Sequence, residues 1–380
     1  MKKQHIRWIG LGMLILGALI LRTYQLDLTR FEHEMVRDVL AAREVLEGDP
    51  KLHGFFASPI STLQTTFGPA TYYLMALGTL LMGKSMYWMP LGTILMIAVL
   101  DALAVLIVYR IGKEFFSEKI GWISAALYAV SPWMILHVAT ISSPTNFMPF
   151  FASVYTYCIC KVIIKKQDKW IIPAAVAFAF MTHIHLTSLL VVPGTFIAWW
   201  IVAKKWDQRK IPWRQIGLGV AAILLLSMPF LYYSMKENNF DDTIEHMVGK
   251  RVSANRLVTG LEAVGIPFMI SMPYFGKYLL GEETRITTKS MEWYFLGITW
   301  ILILIVFITM FMITHNGLYR KREIMVILVL FATPIILYTV KGSSITVHYF
   351  LMMLPLPMII LAIGIEDLMK HLKKTMNVLI

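Results

Sequence analysis

Ten apolar runs of roughly membrane-spanning length limit what this chain can fold into. They occupy residues 8–25, 89–109, 120–138, 147–164, 170–186, 188–203, 213–233, 293–314, 324–340 and 346–364. About 20 apolar residues carry a helix across the ~30 Å of a bilayer's hydrocarbon. Hydrocarbon offers backbone groups no partner, so such runs satisfy their own hydrogen bonds as helices. An all-α polytopic membrane protein is expected, one integral domain over 1–380, and 57% hydrophobic against 15% charged residues exclude a soluble globular domain. Cys158 and Cys160 share one apolar run, leaving neither a disulfide framework nor a zinc-ligand spacing. The opening MKKQHIRW has the charge order of a signal peptide, but no small-residue cleavage site follows, so the first run reads as a retained span.

The net charge of +12 would suit a nucleic-acid partner in a soluble protein, yet here its distribution matters more than its sum. One further apolar segment, 69–83, is shorter and interrupted by glycine. If it crossed, every later loop would change sides. With 69–83 at the interface, 21 Lys and Arg lie inside, in 1–7, 110–119, 161–169, 204–214, 315–323 and 365–380, and 14 lie outside. Acidic residues divide 7 inside and 15 outside, with Asp101 alone in mid-span. Arg22 is counted outside, on the expectation that it snorkels to the outer interface. The positive-inside rule then selects ten spans with both termini cytoplasmic, in a multi-pass protein expected in the plasma membrane, and no nucleic acid is implied.

This topology leaves two large outer loops, about 26–88 and about 234–292, and a cytoplasmic tail at about 365–380. In the first loop Met35, Val36, Val39, Leu40, Ala42, Val45 and Leu46 recur at helical spacing among Arg37, Asp38, Arg43, Glu44 and Glu47, the pattern of an amphipathic interfacial helix. Segment 69–83, opened by Gly68-Pro69 and carrying Tyr72 and Tyr73, reads as a second one. The second loop has no metal or nucleotide motif and suits an acceptor-binding cap.

A first span, a large outer loop with an acidic residue soon after it, interfacial helices and then a bundle resemble the GT-C superfamily of lipid-linked-sugar glycosyltransferases. The local motifs are most similar to the branch of protein O-mannosyltransferases, the aminoarabinose transferase of lipid A and RgtA/B/C/D-like proteins. Glu34-Met35-Val36-Arg37-Asp38 with Gly48-Asp49 resembles that branch's acidic loop-helix motif, and Gly68, Pro69, Tyr72 and Tyr73 match its G-P-x-x-Y-Y. MTHIHLTSL at 181–189 resembles an M-T-K-G segment, with His183 in place of the lysine. Val340-Lys341-Gly342, then His348-Tyr349 and Pro355, is similar to an A-K-G, tyrosine, proline run. Where many members carry a second acid after the third span, this chain reads Ile141 to Asn146 with no carboxylate. No cofactor is required by the likeness, and the missing acid weakens the case for a bridging divalent metal.

The resemblance implies a GT-C-like bundle of about ten transmembrane helices with interfacial helices in the first outer loop. It also implies an inverting transfer of a sugar from a polyprenyl phosphate to a lipid, glycan or protein acceptor at the outer face. Such a reaction needs a base and donors around the departing phosphate. Glu34 is the expected base, with Asp38 one turn on and facing the same way. Arg37 would bind phosphate or pair with an acid on its own helix. His183, His185, Lys341 and His348 are expected around the phosphate, Asn146 as a hydrogen-bonding neighbour, and Tyr72 and Tyr73 against sugar or lipid, although interfacial tyrosines are commonly belt residues. On α-geometry His183 and His185 point about 200° apart and cannot chelate one ion. Asp101 is too deep for acceptor chemistry and is expected to pair within the bundle. Two other classes remain, a lipid-linked-sugar flippase and a non-catalytic assembly subunit with the same fold; the first should show repeats or matched broken helices, and neither is visible.

Overall fold

The computed structural model describes residues 2–24, 33–51, 68–83, 88–131, 134–135, 144–204, 210–236, 321–341 and 347–379, with no β-strand among them. Eleven α-helices follow in order among these residues. They are α1 (Lys2–Thr23), α2 (His33–Leu46), α3 (Ala70–Met82), α4 (Trp88–Phe115), α5 (Glu118–Ala129), α6 (Met148–Ile163), α7 (Ile171–Ile184), α8 (Val191–Val202), α9 (Trp213–Lys236), α10 (Lys321–Lys341) and α11 (Pro355–Leu379). Four are long and apolar enough to cross a membrane, within α1, α4, α9 and α10. The run at 293–314 and most of the second outer loop lie outside the described residues.

The bundle is assembled by sequence-adjacent pairs and a few long-range ones: α4 packs on α5, α6 on α7, α7 on α9, α8 on α10, α11 on α5, and α1 and α6 on α4. Ser117 starts α5 by accepting the Ile120 N–H at 3.1 Å, an N-cap that lets the chain reverse straight after α4. Glycine permits the close crossing there: a Cβ on Gly112 would lie 2.7 Å from the Gly121 backbone. Polar contacts then tie one end together. Arg7 Nε reaches Glu118 at 2.6 Å, Tyr157 donates to Glu114 at 2.9 Å, Arg322 donates to the Ile164 carbonyl at 2.9 Å, and Ser117 donates to Glu366 at 3.3 Å. These contacts join four of the segments that the charge count groups inside, and Glu366 belongs to a fifth, the tail. That tail does not leave the bundle as a loop, since α11 runs on to Leu379.

Arg22 departs from its expected place. It is 0% exposed and points into the bundle, where Nε donates to Asp101 of α4. Nη1 donates to the Ala129 carbonyl at 2.8 Å and to Ala18 at 3.1 Å, and Nη2 to the Tyr128 carbonyl at 3.1 Å. Tyr128 completes the cluster by donating its hydroxyl to Asp101. Snorkelling fails because a partner of opposite charge and two helix-terminal carbonyls are nearer than water. Asp101 does pair within the bundle as expected, and the pair adds no net charge to either side.

Several of the apolar runs are not continuous α-helix. Run 120–138 breaks after Ala129, where α5 ends, with helix again at 134–135. Run 147–164 is preceded by a 3-10 turn at Pro144–Phe147, run 188–203 starts within Leu186–Leu190, and run 346–364 starts as Val347–Met353, both 3-10. The turn at 347–353 packs against the other two, so these interruptions gather at one end. Backbone that leaves the α-form at membrane depth is tolerated where protein buries it or a polar cavity lines it. At the same end α3, with 13 residues, is shorter than a span requires. It lies on α4, where a Cβ on Gly92 would come within 2.9 Å of the Gly78 carbonyl carbon and Thr79 Cα.

Breaking a buried pair from one side leaves an uncompensated charge, which costs about 3–5 kcal/mol. Arg22→Met and Asp101→Asn are each expected to lower the thermal unfolding midpoint in detergent sharply, with the double variant more stable than either. A double variant no better than the worse single one would mean that the charges act independently.

Candidate active site

The acidic helix of the first loop is anchored at both ends of its buried face. Its C-terminus closes on Gly48, with φ of 95°, while the Asp49 N–H reaches the Glu44 carbonyl at 2.9 Å and the Gly48 N–H reaches Val45 at 3.3 Å. This is the Schellman arrangement, which needs a residue tolerant of left-handed backbone. It gives the Gly48-Asp49 pair a structural reason. Lys51 then binds Glu44 at 2.6 Å and Asp49 at 2.7 Å, and its carbonyl accepts the Tyr73 hydroxyl at 3.1 Å. Tyr73 is thereby an exposed tie between α3 and the end of α2.

Asp38, Val39 and Ala42 form the buried stripe, and α2 packs along α3. Val36 and Leu40, on the apolar face expected to lie on the membrane surface, are exposed. Asp38 is 0% exposed: its Oδ1 accepts Arg37 Nε at 2.8 Å and the Tyr72 hydroxyl at 3.4 Å. Burial, with the Asp38 charge beside it, holds the Tyr72 phenol above its ordinary range, so Tyr72 stays protonated as the donor. Of the two alternatives for Arg37, the structure shows the pair with an acid on its own helix, leaving the side chain 32% exposed. The backbone of Glu34 lies in α2 one turn before Asp38; its side chain lies outside the described residues.

A second contact docks this loop on the bundle. Gly68 sits against the imidazole of His183 so closely that a Cβ there would overlap the ring, at 2.7 Å from Cδ2. His183 Nε2 lies 3.2 Å from Ser227 Oγ of α9, and Phe230 flanks the ring at 6.3 Å. At 6% exposure, His183 is a junction between the first loop, α7 and α9. Nothing in the sequence pairs Ser227 or Phe230 with it, and the only signal for Gly68 is its place ahead of the proline.

His185 behaves differently from a helical neighbour. The α-helix ends at Ile184, and His185 is extended, with φ of −160°. Its Nδ1 accepts the Thr187 N–H at 3.2 Å and lies 2.8 Å from Thr187 Oγ1. The ring caps the 3-10 turn Leu186–Leu190, so a 200° separation on one helix does not apply. Asn146 is buried in the Pro144–Phe147 turn, which packs on α4, α6, α7 and the 347–353 turn. Lys341 closes α10 and His348 lies in that last turn. Their side chains, and Gly342 to Ser344, lie outside the described residues.

The described residues do not fit a bridging divalent metal. Asp38 already accepts a guanidinium and a phenol, the second-loop position offers the neutral amide of Asn146, and among the described residues no three His, Cys, Asp or Glu come together.

Comparison with known proteins decides the fold. Over 96% of this chain, the structure is similar to apo ArnT from Cupriavidus metallidurans, with a TM-score of 0.60, 14% identity and 60% of that chain covered. The chain shares the fold of that structure. The same ArnT bound to undecaprenyl phosphate aligns over 94% of this chain and 60% of its own, with 13% identity and a TM-score of 0.61. The archaeal oligosaccharyltransferase AglB from Archaeoglobus fulgidus, in complex with an inhibitory peptide and a dolichol-phosphate, aligns over all of this chain and 52% of its own, with 14% identity and a TM-score of 0.60. The chain thus spans between about half and three-fifths of the length of those structures. Residues 66–233 match the family described as dolichyl-phosphate-mannose-protein mannosyltransferase, a stretch that includes Gly68, Tyr72, Asn146, His183 and Ser227. A comparison with curated protein sequences finds no match.

The Gly68 and His183 contact is testable by substitution. A methyl group at Gly68 must displace the ring, an overpacking worth about 1–3 kcal/mol. Gly68→Ala is expected to lower the unfolding midpoint, and His183→Ala in the same chain to relieve much of that loss. If the two effects simply add in a double-mutant cycle, the contact is not energetically coupled.

Proposed function

We propose that this chain is a membrane glycosyltransferase of the GT-C type. It would transfer a sugar from a polyprenyl-phosphate donor to an acceptor at the outer membrane face, with inversion at the anomeric carbon. The observation that carries the reading is the docking of the acidic helix α2, through Asp38 on Tyr72 and Gly68 on His183, onto the end of the bundle where the helices break. The fold and the family match over 66–233 support it. A transporter has no need of a carboxylate-bearing helix held this way.

In the proposed reaction Glu34 takes the proton from the acceptor hydroxyl. The acceptor oxygen forms its bond to the anomeric carbon, and the bond from that carbon to the phosphate oxygen breaks. The electron pair leaves with the polyprenyl phosphate. Asp38 is assigned to orientation: it is buried and holds Arg37, whose half-exposed guanidinium is directed to a phosphate oxygen. Lys341 and His348 are assigned to the same phosphate, with Asn146 beside them. His183 and His185 are moved from phosphate binding to support, since one ring is wedged beneath Gly68 and the other caps a turn. Tyr72 supports Asp38, and exposed Tyr73 remains a substrate-facing residue. The acceptor is a lipid, glycan or protein, and both termini are assigned to the cytoplasm by the charge count.

Loss of a general base typically reduces rate by 10²–10⁴. Glu34→Gln is expected to reduce sugar transfer by about that factor while donor-lipid binding and the unfolding midpoint stay as in the parent. Full transfer activity in Glu34→Gln removes Glu34 from the role. Arg37→Gln is expected to raise the donor KM more than it lowers kcat.

A further inference from the structure

At the end of the bundle opposite the candidate site, α1 and α4 open into a cleft of about 420 Å³ lined by Arg7, Trp8, Leu11, Tyr109, Arg110, Lys113 and Glu114. The charges there are unequally satisfied. Glu114 is engaged from α6, by Lys161 and by the Tyr157 hydroxyl at 2.9 Å, and Arg7 Nε is bound to Glu118 at 2.6 Å. Lys113 Nζ lies over the Tyr109 ring at 5.3 Å. Arg110 is exposed and has no ion-pair or hydrogen-bond partner among the described residues. The cleft therefore presents two cations, Arg110 and Lys113, that no carboxylate within it neutralises.

The surroundings are amphiphilic. Leu11 forms a buried apolar floor, Trp8 stands exposed at the rim, and Ile9, Met13, Leu16 and Ile20 leave the outer surface of α1 apolar toward the opposite end. A free anion would use the cations and leave that apolar wall idle. A lipid uses both, with its phosphate at Arg110 and Lys113 and its chains along α1. Basic pockets between transmembrane helices at the cytoplasmic side suit anionic headgroups. Arg7 stands 15 residues before Arg22 on α1, about 22 Å along the helix axis, which separates this cleft from the outer end.

We propose that the cleft between α1 and α4 is a binding site for the phosphate of an anionic phospholipid of the inner leaflet. The site is separate from the end proposed for donor chemistry. The assignment of leaflet follows the charge count, and the binding test needs no transferase activity, so its failure leaves the proposed reaction untouched.

The full chain, purified in a neutral detergent, is titrated with mixed micelles containing phosphatidylglycerol or phosphatidylcholine while the thermal unfolding midpoint is followed. Phosphatidylglycerol is expected to raise the midpoint saturably and phosphatidylcholine to leave it in place. At about fivefold per basic contact, Arg110→Gln/Lys113→Gln is expected to weaken half-saturation about 25-fold. Arg110→Gln alone, an exposed change that leaves the packing intact, is expected to weaken it about fivefold. Lys169→Gln/Lys204→Gln, basic residues of the same end outside the cleft, is expected to leave the titration unchanged. The proposal is overturned by any of four results: equal shifts with the two lipids, the same shift with inorganic phosphate alone, an unaltered titration in the Arg110 and Lys113 variants, or an equal weakening in the Lys169 and Lys204 control.

Discussion

A helix that stops inside hydrocarbon must find donors for its last carbonyls, and in this chain a buried arginine supplies them. Arg22 binds the terminal carbonyls of α5 while its charge is held by Asp101 of α4. One side chain thereby fixes where α1 ends, lets α5 stop at Ala129, and joins three helices at one level. Without that donor the Ala129 carbonyl would lose the partner that Arg22 gives it. The early ends and 3-10 turns of the neighbouring segments follow the same logic, since each is buried against another at that end.

These interruptions give the first loop somewhere to dock. Short 3-10 turns at 144–147, 186–190 and 347–353 begin three segments and bring Asn146, His185 and His348 to one region of the backbone. Gly68 then reaches His183 because it has no side chain, and Tyr72, one turn further, reaches Asp38. The acidic helix is held through the short segment 68–73, by Gly68 on His183, Tyr72 on Asp38 and Tyr73 on the Lys51 carbonyl. General-base chemistry is served by a firmly held carrier helix, because effective molarity falls quickly when the reacting groups are loosely held.

Much of this was legible in the sequence, for identifiable reasons. Hydropathy reveals spans because length and apolarity are what hydrocarbon demands, and the amphipathic spacing of 35–46 locates α2. The motif segments are local, so Gly68-Pro69, Tyr72 and 181–189 could be singled out before the fold was known. Hydropathy is blind to backbone form, so the end of α5 at Ala129 and the 3-10 starts were not visible. Side-chain partners across distant segments were invisible for the same reason. Asp38, a catalytic candidate beside Glu34 in the sequence, gains a supporting place only once Tyr72 and Arg37 are set on it. Arg22 carried a usable signal: an arginine within a span and a lone mid-span acid, Asp101, are each expensive alone and compatible together.

The central claim is that the first-loop helix and the bundle form a site that breaks the bond between sugar and lipid phosphate. The most direct measurement places the full chain in proteoliposomes with sugar-labelled polyprenyl phosphate and candidate acceptors. Both the glycosyl–phosphate bond and the leaflet occupied by the lipid are followed. Release of polyprenyl phosphate with the label appearing on an acceptor is the result expected here. Movement of intact donor between leaflets, with no cleavage for any acceptor, would contradict it.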